Sequence, residues 1–313
     1  MLNVDEMPGV PLAGMRREEW IARRRNSIGG SDIGAIMGFN KYRTPLRVYQ
    51  EKAGIAPMTD VSDKDAVYWG TVLEPVVADE FTKRTEKRVE KVEKILIHPK
   101  HEFMTANIDR SIVGENAGLE CKTASAYGKD DWEDEEIPAS YILQCQWYIY
   151  ITGAKVWYIA CLLGGQKFIW KTIQRDDELI SIMESAAIDF WDHVLKRIPP
   201  LAASGDVKAF EANSKETISL PDNADDLLGA LIEVKDQAKV IEDKKKELEA
   251  RVKQMLDGHM TGLRPLYKVT WSQSSVESFD AASFKVANPE IAKQYLKISQ
   301  RDNGVRVKRL KAV

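Results

Sequence analysis

Two carboxylates and a lysine lie close together in the middle of the chain, as Asp109, Glu120 and Lys122. Glu120 and Lys122 belong to GLECKTA, a segment with the pattern of a strand, so their side chains share one face. One interpretation is an exposed strand face that bears a salt bridge of little energetic value. The other is a catalytic strand edge, because a short turn between antiparallel strands would bring Asp109 close to Glu120.

Carboxylates that converge on one point repel each other, and a hard cation relieves that repulsion. Mg²⁺ prefers oxygen ligands and keeps several waters, so Asp109, Glu120 and the Cys121 carbonyl would be sufficient protein ligands. Such a cation polarises a phosphodiester and generates a hydroxide nucleophile, and Lys122 would add a positive charge beside it. The pattern therefore predicts metal-dependent phosphodiester hydrolysis, although the same spacing occurs by chance in many strands.

Polar residues on two predicted helices add to this candidate site. Glu74 lies in WGTVLEP, within a helix predicted over residues 64–86 from its stripe of apolar residues. The long apolar segment YILQCQWYIYITG carries Tyr141, Gln144 and Tyr148 on one helical face, which favours a helix over a strand. We therefore expect polar side chains from both helices to lie near the strand that carries the acid and the lysine.

The segment NSIGGSDIGAIMG, residues 26–38, contains a glycine pair that permits a tight backbone turn. Ser31 follows that pair and is predicted to be the N-cap of the next helix. A glycine-rich turn into a helix N-terminus also binds phosphate, so the two interpretations of Ser31 are compatible. Arg24 belongs to the preceding arginine run, in which Arg23 and Arg25 are alternatives.

The hydrophobic periodicity predicts helices, then three strands, a helix, two more strands and a final helix, which indicates an α/β (α+β) fold. We expect a first domain at residues 1–204 and a second, with a helical arm and a small β-containing part, at residues 205–313. The second domain begins with one long helix over residues 222–256, whose apolar spacing favours a helical hairpin or a coiled-coil arm. The segments YKVTWSQS and GVRVKRLK are predicted as strands that follow it.

Three local expectations concern the first domain. Residues 1–14 have a loop-like composition, and RVEKVEKILIHP has the pattern of a single strand that ends at Pro99. The tryptophans Trp20, Trp69 and Trp147 are predicted to lie in the core rather than to stack on bases.

The composition is that of a soluble globular protein, with 44% hydrophobic residues, 30% charged residues and a net charge of −3. That net charge neither indicates nor excludes nucleic-acid binding, which depends on local patches. The three cysteines form no Cys-x-x-Cys pair, so we expect neither a disulfide framework nor a zinc knuckle, and the cytoplasm fits best. No secretory signal and no membrane-spanning run is predicted.

Five segments, taken in order, resemble the YqaJ-type viral recombinases: WIARRRNSIGGSDIGAIMG, WGTVLEPVVADEF, TANIDRS, GLECKTA and YILQCQWYIYITG. These recombinases are relatives of the lambda-type alkaline exonuclease and a branch of the PD-(D/E)XK nuclease superfamily. The resemblance covers roughly residues 15–200 and implies a nuclease core in which helices flank a central mixed sheet. The lambda-type template does not cover residues 205–313, and NIDR stands where its relatives carry a variable Pro-Asp pair.

The resemblance also implies roles for individual positions. The acids that would bind two Mg²⁺ or Mn²⁺ ions are Asp109, Glu120 and Glu74. The catalytic lysine and the two helix residues that accompany it are Lys122, Gln144 and Tyr148; Gln146 is an alternative to the glutamine. The residues that resemble the 5′-phosphate ligands are Arg24 and Ser31. Some relatives hold an iron–sulfur cluster through four cysteines, but this chain has only three, so no cluster is expected.

The family implies a processive 5′-to-3′ exonuclease that degrades one strand of linear double-stranded DNA, encoded by a phage or prophage in a bacterial cell. The remaining 3′ single strand would pass to a single-strand annealing protein, and a ring-shaped homotrimer is expected. Two other hypotheses stay open. A restriction-type endonuclease would cut closed circular DNA, and a non-catalytic DNA-end-binding recombination scaffold would bind ends even when metal is chelated.

Overall fold

The computed structural model of the protein describes residues 4, 7–58, 64–125, 132, 136–210, 216–221, 223–297, 305 and 307. The chain divides into two compact units, Met1–Asn213 and Ser214–Val313. All of the candidate site residues lie in the first unit.

Helices and strands are mixed along the first unit. Its strands are β1 (Gly9–Pro11), β2 (Val89–Lys91), β3 (Lys94–Ile97), β4 (Thr105–Ala106), β5 (Arg110–Ile112), β6 (Gly118–Ala124), β7 (Val156–Leu163) and β8 (Lys167–Gln174). Its α-helices are α1 (Arg17–Arg25), α2 (Gly30–Ile36), α3 (Pro45–Lys52), α4 (Asp65–Thr85), α5 (Ala139–Thr152) and α6 (Asp177–Lys196). A 3₁₀ helix, Ser204–Ala209, follows α6.

A five-stranded mixed sheet lies at the centre of the unit, in the order β2-β5-β6-β7-β8. Its neighbouring strands are antiparallel except β6 and β7, which run parallel. A parallel pair needs a long connection that returns the chain to the same end of the sheet, and α5 provides it. The predicted mixed sheet with flanking helices is therefore confirmed.

Helices cover both faces of this sheet. On one face, α4 packs Val77 and Phe81 against Tyr158 of β7. On the other face, α5 buries Trp147 in a cluster that includes Ile159, the next residue of β7. Because consecutive strand residues point to opposite faces, the continuous apolar run of β7 satisfies both helices at once.

The structure differs from the sequence-based expectation in the segment RVEKVEKILIHP. This segment is not one strand, because it breaks between Lys91 and Lys94. β2 joins the five-stranded sheet, whereas β3 joins a separate sheet in the order β1-β3-β4. The expectation that residues 1–14 are loop-like is also wrong in part, since β1 pairs with β3. Both errors arise because the partners of these short strands lie far away in sequence.

The three tryptophans also have different environments. Trp147 is fully buried, as predicted, but Trp69 is 53% exposed, so the prediction that it belongs to the core is wrong. Apolar residues extend around more of the circumference of α4 than the sheet covers. Trp20 is half-buried, and its ring lies 4.8 Å from the guanidinium carbon of Arg24.

The second unit contains one long helix and a small hairpin. Its elements are α7 (Ala224–Leu256), β9 (Thr261–Arg264), β10 (Tyr267–Thr270), α8 (Ala281–Ala287) and α9 (Pro289–Gln294). The long helix is confirmed, and β9 is an additional strand that pairs antiparallel with β10. The predicted strand GVRVKRLK lies outside the described residues except for Val305 and Val307. In the part of the chain that the structure describes, no helix is long and apolar enough to cross a bilayer.

Candidate active site

Strand β6 carries the acid–lysine pair at the centre of the sheet. The Glu120 carboxylate is buried, and its Oε1 lies 2.5 Å from Lys122 Nζ. Leu119 and Cys121, on the opposite face of the strand, pack in the cluster under α4. The alternation predicted from GLECKTA is therefore present, and the exposed salt bridge is excluded because Glu120 is only 3% exposed.

Asp109 lies immediately before β5, beside the acid–lysine pair. Its Oδ2 accepts a hydrogen bond of 2.8 Å from the backbone N–H of Cys121, the residue between Glu120 and Lys122. The antiparallel register that pairs Arg110 with Leu119 brings the two segments together. The structure thus places Asp109 next to Glu120 through the backbone of β6.

Helix α5 contributes a glutamine that contacts both members of the pair. Gln144 Nε2 donates to Glu120 Oε1 at 2.7 Å and to the Tyr148 hydroxyl at 2.8 Å, and its Oε1 accepts from Lys122 Nζ at 3.1 Å. Gln146 points elsewhere, since its amide donates to the Gln174 carbonyl of β8. The choice of Gln144 over Gln146 is therefore supported by the geometry.

The sequence placed Tyr141 on the same helical face but gave it no role. In the structure its ring lies 4.8 Å from Lys122 Nζ, a distance typical of a cation–π contact. Lys122 is therefore held on three sides, by Glu120, Gln144 and this ring. The spacing of Tyr141 from Gln144, one helical turn, was the available signal.

Glu74 of α4 is bound to a different partner. Its Oε1 lies 2.5 Å from Arg110 Nη1, and the Arg110 guanidinium is almost fully buried. Among the described residues, no group of three or more histidine, cysteine, aspartate or glutamate side chains is arranged to hold a metal ion. The structure therefore brings Asp109 and Glu120 together and leaves Glu74 in an ion pair beside them.

Burial and neighbouring charges shift the pKa values of both acids. Burial, followed by the charge of Glu120, raises the pKa of Asp109 well above its ordinary value. Burial also raises the pKa of Glu120, although the ammonium of Lys122 opposes that change. Burial acts to lower the pKa of Lys122, but the Glu120 carboxylate outweighs it and the pKa is raised, so the lysine stays charged.

The acid pair fits a hard divalent cation. Glu120 Oε2 is buried and has no hydrogen-bond partner among the described residues. A buried carboxylate oxygen without a partner is costly, and a cation shared with Asp109 would satisfy it and neutralise the repulsion. Asp109 and Glu120 supply carboxylate oxygens at this point of the sheet, and the backbone carbonyl of Cys121, the residue after Glu120, is the predicted third ligand.

Replacing Asp109 by asparagine is expected to stabilise the protein in the presence of a chelator. The pKa of Asp109 is higher in the folded protein than in the unfolded chain. The free energy of unfolding therefore falls as the pH rises from the unfolded pKa to the folded pKa, and the ionised carboxylate is destabilising at alkaline pH. Asp109→Asn removes this cost but keeps an oxygen that can accept from Cys121.

The check is thermal unfolding with chelator. At alkaline pH the Tm of Asp109→Asn should exceed that of the wild type, and the difference should disappear near the ordinary pKa of aspartate. The control is Asp192→Asn on the surface of α6, which should not raise the Tm. A lower Tm for Asp109→Asn at alkaline pH would contradict the interpretation.

Arg24 and Ser31 come together in the wall of a cleft that the acids also line. Arg24 Nη2 lies 3.3 Å from the Ser31 hydroxyl. The cleft has a volume of about 870 Å³, and its wall includes both of these residues together with Asp109, Glu120 and Gln144. The predicted phosphate ligands and the predicted acids thus face one space.

Ser31 is not the N-cap of α2, contrary to the expectation. The helix begins at Gly30, and Gly29 is its N-cap. Asp32, the third residue of the helix, accepts from the Gly29 N–H at 3.1 Å, which is the bond that the N3 side chain makes in a capping box. Ser31 is exposed to the cleft instead, which leaves its hydroxyl available to a ligand as well as to Arg24.

The close approach of α2 to α5 depends on a glycine. A Cβ atom at Gly30 would lie 2.6 Å from Tyr148 Cε1 and 3.1 Å from Gln144 Cγ. No other residue type fits there without displacing Gln144, which contacts Glu120, and Tyr148, which contacts Gln144. The glycine pair was interpreted from the sequence as a turn, and the structure adds this packing role.

Comparisons with known proteins agree with this fold and place the chain in a family. Residues 19–155 match the YqaJ-like viral recombinase domain. The uncharacterized protein YqaJ of Bacillus subtilis (strain 168) is 39% identical over 287 residues, which cover 88% of this chain and 90% of that protein. An alkaline exonuclease of Laribacter hongkongensis, LHK-Exo, is structurally similar in its crystal structure with dAMP: the TM-score is 0.50, the identity is 21%, and the match covers 58% of this chain and 94% of that chain.

The structural match to LHK-Exo is at low sequence identity and concerns the fold, so the predicted nuclease fold is confirmed. The match to YqaJ extends over nearly the whole of both chains at an identity that indicates common descent. The predicted resemblance is confirmed as well, and the chain belongs to the YqaJ-like viral recombinase family.

Proposed function

We propose that the protein is a divalent-metal-dependent exonuclease that degrades the 5′-ended strand of linear double-stranded DNA during recombination. One observation carries the proposal: a single cleft has the Asp109–Glu120 acid pair in its wall together with the Arg24–Ser31 pair. The first pair suits hydrolysis of a phosphodiester, and the second suits a terminal phosphate. The two functions side by side are what an enzyme needs to cut next to a 5′ end.

Asp109, Glu120 and the Cys121 carbonyl would hold the metal, and two Mg²⁺ or Mn²⁺ ions are expected. The bound metal supplies a Lewis acid for the phosphodiester and a hydroxide nucleophile at neutral pH. Glu74 would influence the site through its charge, since in the structure its carboxylate is paired with Arg110. Because protons and metal compete for the same raised-pKa carboxylates, the apparent metal affinity should increase with pH.

Lys122 and Gln144 would act on the reacting phosphate. The raised pKa keeps Lys122 cationic, so its ammonium can stabilise the negative charge that develops in the transition state. Gln144 fixes that ammonium by accepting from it, and Tyr148 in turn fixes the Gln144 amide. This chain of hydrogen bonds prepares the positive charge before the substrate arrives, which is the more effective arrangement in a buried site.

Arg24 and Ser31 would hold the 5′-phosphate. A guanidinium offers several donors in a planar fork that matches phosphate oxygens, and a hydroxyl adds a further donor. The indole of Trp20 lies 4.8 Å from the Arg24 guanidinium carbon, within cation–π distance. Recognition of the terminal phosphate is the physical basis for the proposed 5′-to-3′ direction.

The decisive experiment uses linear duplex labelled at the 5′ or the 3′ end, with and without a 5′-phosphate, incubated with Mg²⁺. We expect early release of the 5′ label, faster digestion of the phosphorylated duplex, and no digestion with a chelator. Closed circular DNA should remain intact because it has no end. Early release of the 3′ label would contradict the polarity, and cutting of closed circles would favour the restriction-type endonuclease.

The third hypothesis, a non-catalytic DNA-end-binding recombination scaffold, predicts end binding without release of nucleotides. The buried acid–lysine–glutamine cluster argues against it, because burying such a cluster is costly and a protein that only binds ends has no need of it. The family resemblance supports a ring-shaped homotrimer and transfer of the 3′ strand to a single-strand annealing protein in the host cytoplasm. Light scattering of the purified protein tests the first of these proposals.

A further inference from the structure

A lysine lies buried directly behind the Arg24–Ser31 pair. Lys52, the last residue of α3, has a side chain with no exposed surface. Its Nζ donates to the backbone carbonyl of Arg24 at 2.5 Å and to Asp32 Oδ2 at 2.7 Å. The first bond reaches the last turn of α1, and the second reaches α2. One ammonium therefore joins the two helices that carry Arg24 and Ser31.

Asp32 is held firmly from several directions. Its second oxygen, Oδ1, accepts from Arg43 Nη1 at 2.7 Å, and Arg43 also donates to Glu51 at 2.6 Å. Its Oδ2 accepts from the backbone N–H of Gly29 as well as from Lys52. The carboxylate therefore has a fixed position, and Lys52 connects it to the end of α1 through the Arg24 carbonyl.

A buried lysine–aspartate pair contributes little net stability, because removing two charges from water offsets their attraction. An apolar side chain at position 52 would fill the same space, but it would make no directional bond to the Arg24 carbonyl. The ammonium therefore contributes mainly by fixing the position of α1 relative to α2. The 3.3 Å separation between the Arg24 guanidinium and the Ser31 hydroxyl depends on where the end of α1 lies relative to α2.

We propose that Lys52 is a positioning residue for the DNA end: it fixes the end of α1 to Asp32, sets the separation of Arg24 and Ser31, and so determines the preference for phosphorylated over unphosphorylated 5′ ends. This inference rests on the proposed function, because it concerns how that site recognises its phosphate. Lys52 itself lies behind the cleft wall and does not contact the substrate.

The test compares two linear duplexes, one with a 5′-phosphate and one with a 5′-hydroxyl, digested by the wild type and by Lys52→Met. Methionine keeps most of the side-chain volume and removes the charge. We expect KM for the phosphorylated duplex to rise about tenfold or more, since small misplacements of binding groups have effects of this size. The kcat on either duplex should change little, and KM for the hydroxyl duplex should stay the same.

The matched control is Lys196→Met, which removes a lysine–aspartate pair of the same 2.7 Å length on the exposed surface of α6. It should leave both KM values unchanged. The double variant Lys52→Met with Asp32→Asn covers the case in which the single variant fails to fold, because it also removes the buried negative charge that has lost its lysine partner. This double variant should also lose the preference for the phosphorylated end.

Two results overturn the inference, and they are distinguishable. If the wild type prefers phosphorylated ends and the Lys52 variants keep the same preference while their Tm falls, Lys52 has only a structural role. If the wild type itself shows no preference, the proposed 5′-phosphate recognition fails and the inference fails with it.

Discussion

Replacing Lys122 by methionine is expected to reduce kcat on linear duplex DNA by about a thousandfold, a loss typical of removing one preorganised charge from a transition state. The ammonium is bound by Glu120 and Gln144 at the centre of the sheet, so its position is fixed before the substrate binds. Methionine keeps most of the length of the side chain, so its thioether can still pack near Tyr141. The measurement is single-turnover digestion of end-labelled duplex at saturating Mg²⁺.

Two accompanying measurements separate a chemical loss from unfolding. Thermal unfolding of Lys122→Met should remain cooperative, and the variant should still bind duplex ends, since Arg24 and Ser31 are intact. Lys167→Met, at the exposed start of β8, is the control and should digest DNA at the wild-type rate. Normal digestion by Lys122→Met would show that the site is assigned to the wrong residues.

The largest effect on stability is expected from Gly118→Ala, at the start of β6. A Cβ atom there would lie 2.2 Å from Cζ2 of Trp157, and that indole is fully buried. Overpacking of a dense core typically costs about 1–3 kcal/mol. The Trp157 ring also lies 5.5 Å from the Tyr148 ring, so any movement of the indole would reach the hydrogen bond between Tyr148 and Gln144.

The same substitution at Gly70 should have the opposite effect. Gly70 lies inside α4, and a Cβ atom there would meet Thr123 Oγ1 at 3.7 Å, which is ordinary contact. Alanine is favoured over glycine within a helix by about 0.5–1 kcal/mol, so Gly70→Ala should stabilise the unit. Urea unfolding of both variants and the wild type measures whether each substitution lowers or raises the free energy of unfolding. Equal stability of Gly118→Ala and the wild type would show that the indole has room to move.

Local patterns in the sequence were sufficient for the two elements that carry the central cluster. The alternation in GLECKTA places Glu120 and Lys122 on one face because a strand has a period of two residues. The four-residue spacing of Gln144 and Tyr148 places them on one face of α5 because a helix has a period of 3.6 residues. Both elements are long and regular, so their periodicity determines which side chains share a face.

Other features were not accessible from local patterns. RVEKVEKILIHP contributes to two sheets, because β2 and β3 have partners in different parts of the chain. Ser31 has the residue type of an N-cap, but the helix already begins at Gly30 and Gly29 is its N-cap. Lys52 lies at the end of a short helix, where a lysine is ordinarily solvated, yet its side chain is completely buried.

The sequence by itself determined the residue types that could do chemistry, the order of the main helices and the longer strands, and the family resemblance. Only the tertiary structure decided which of those residues meet. Asp109 lies beside Glu120 because it binds the Cys121 N–H, and Glu74 stays in an ion pair because Arg110 is buried next to it. The physical reason is that periodicity acts within one element, whereas the position of one element relative to another depends on contacts between residues far apart in the chain.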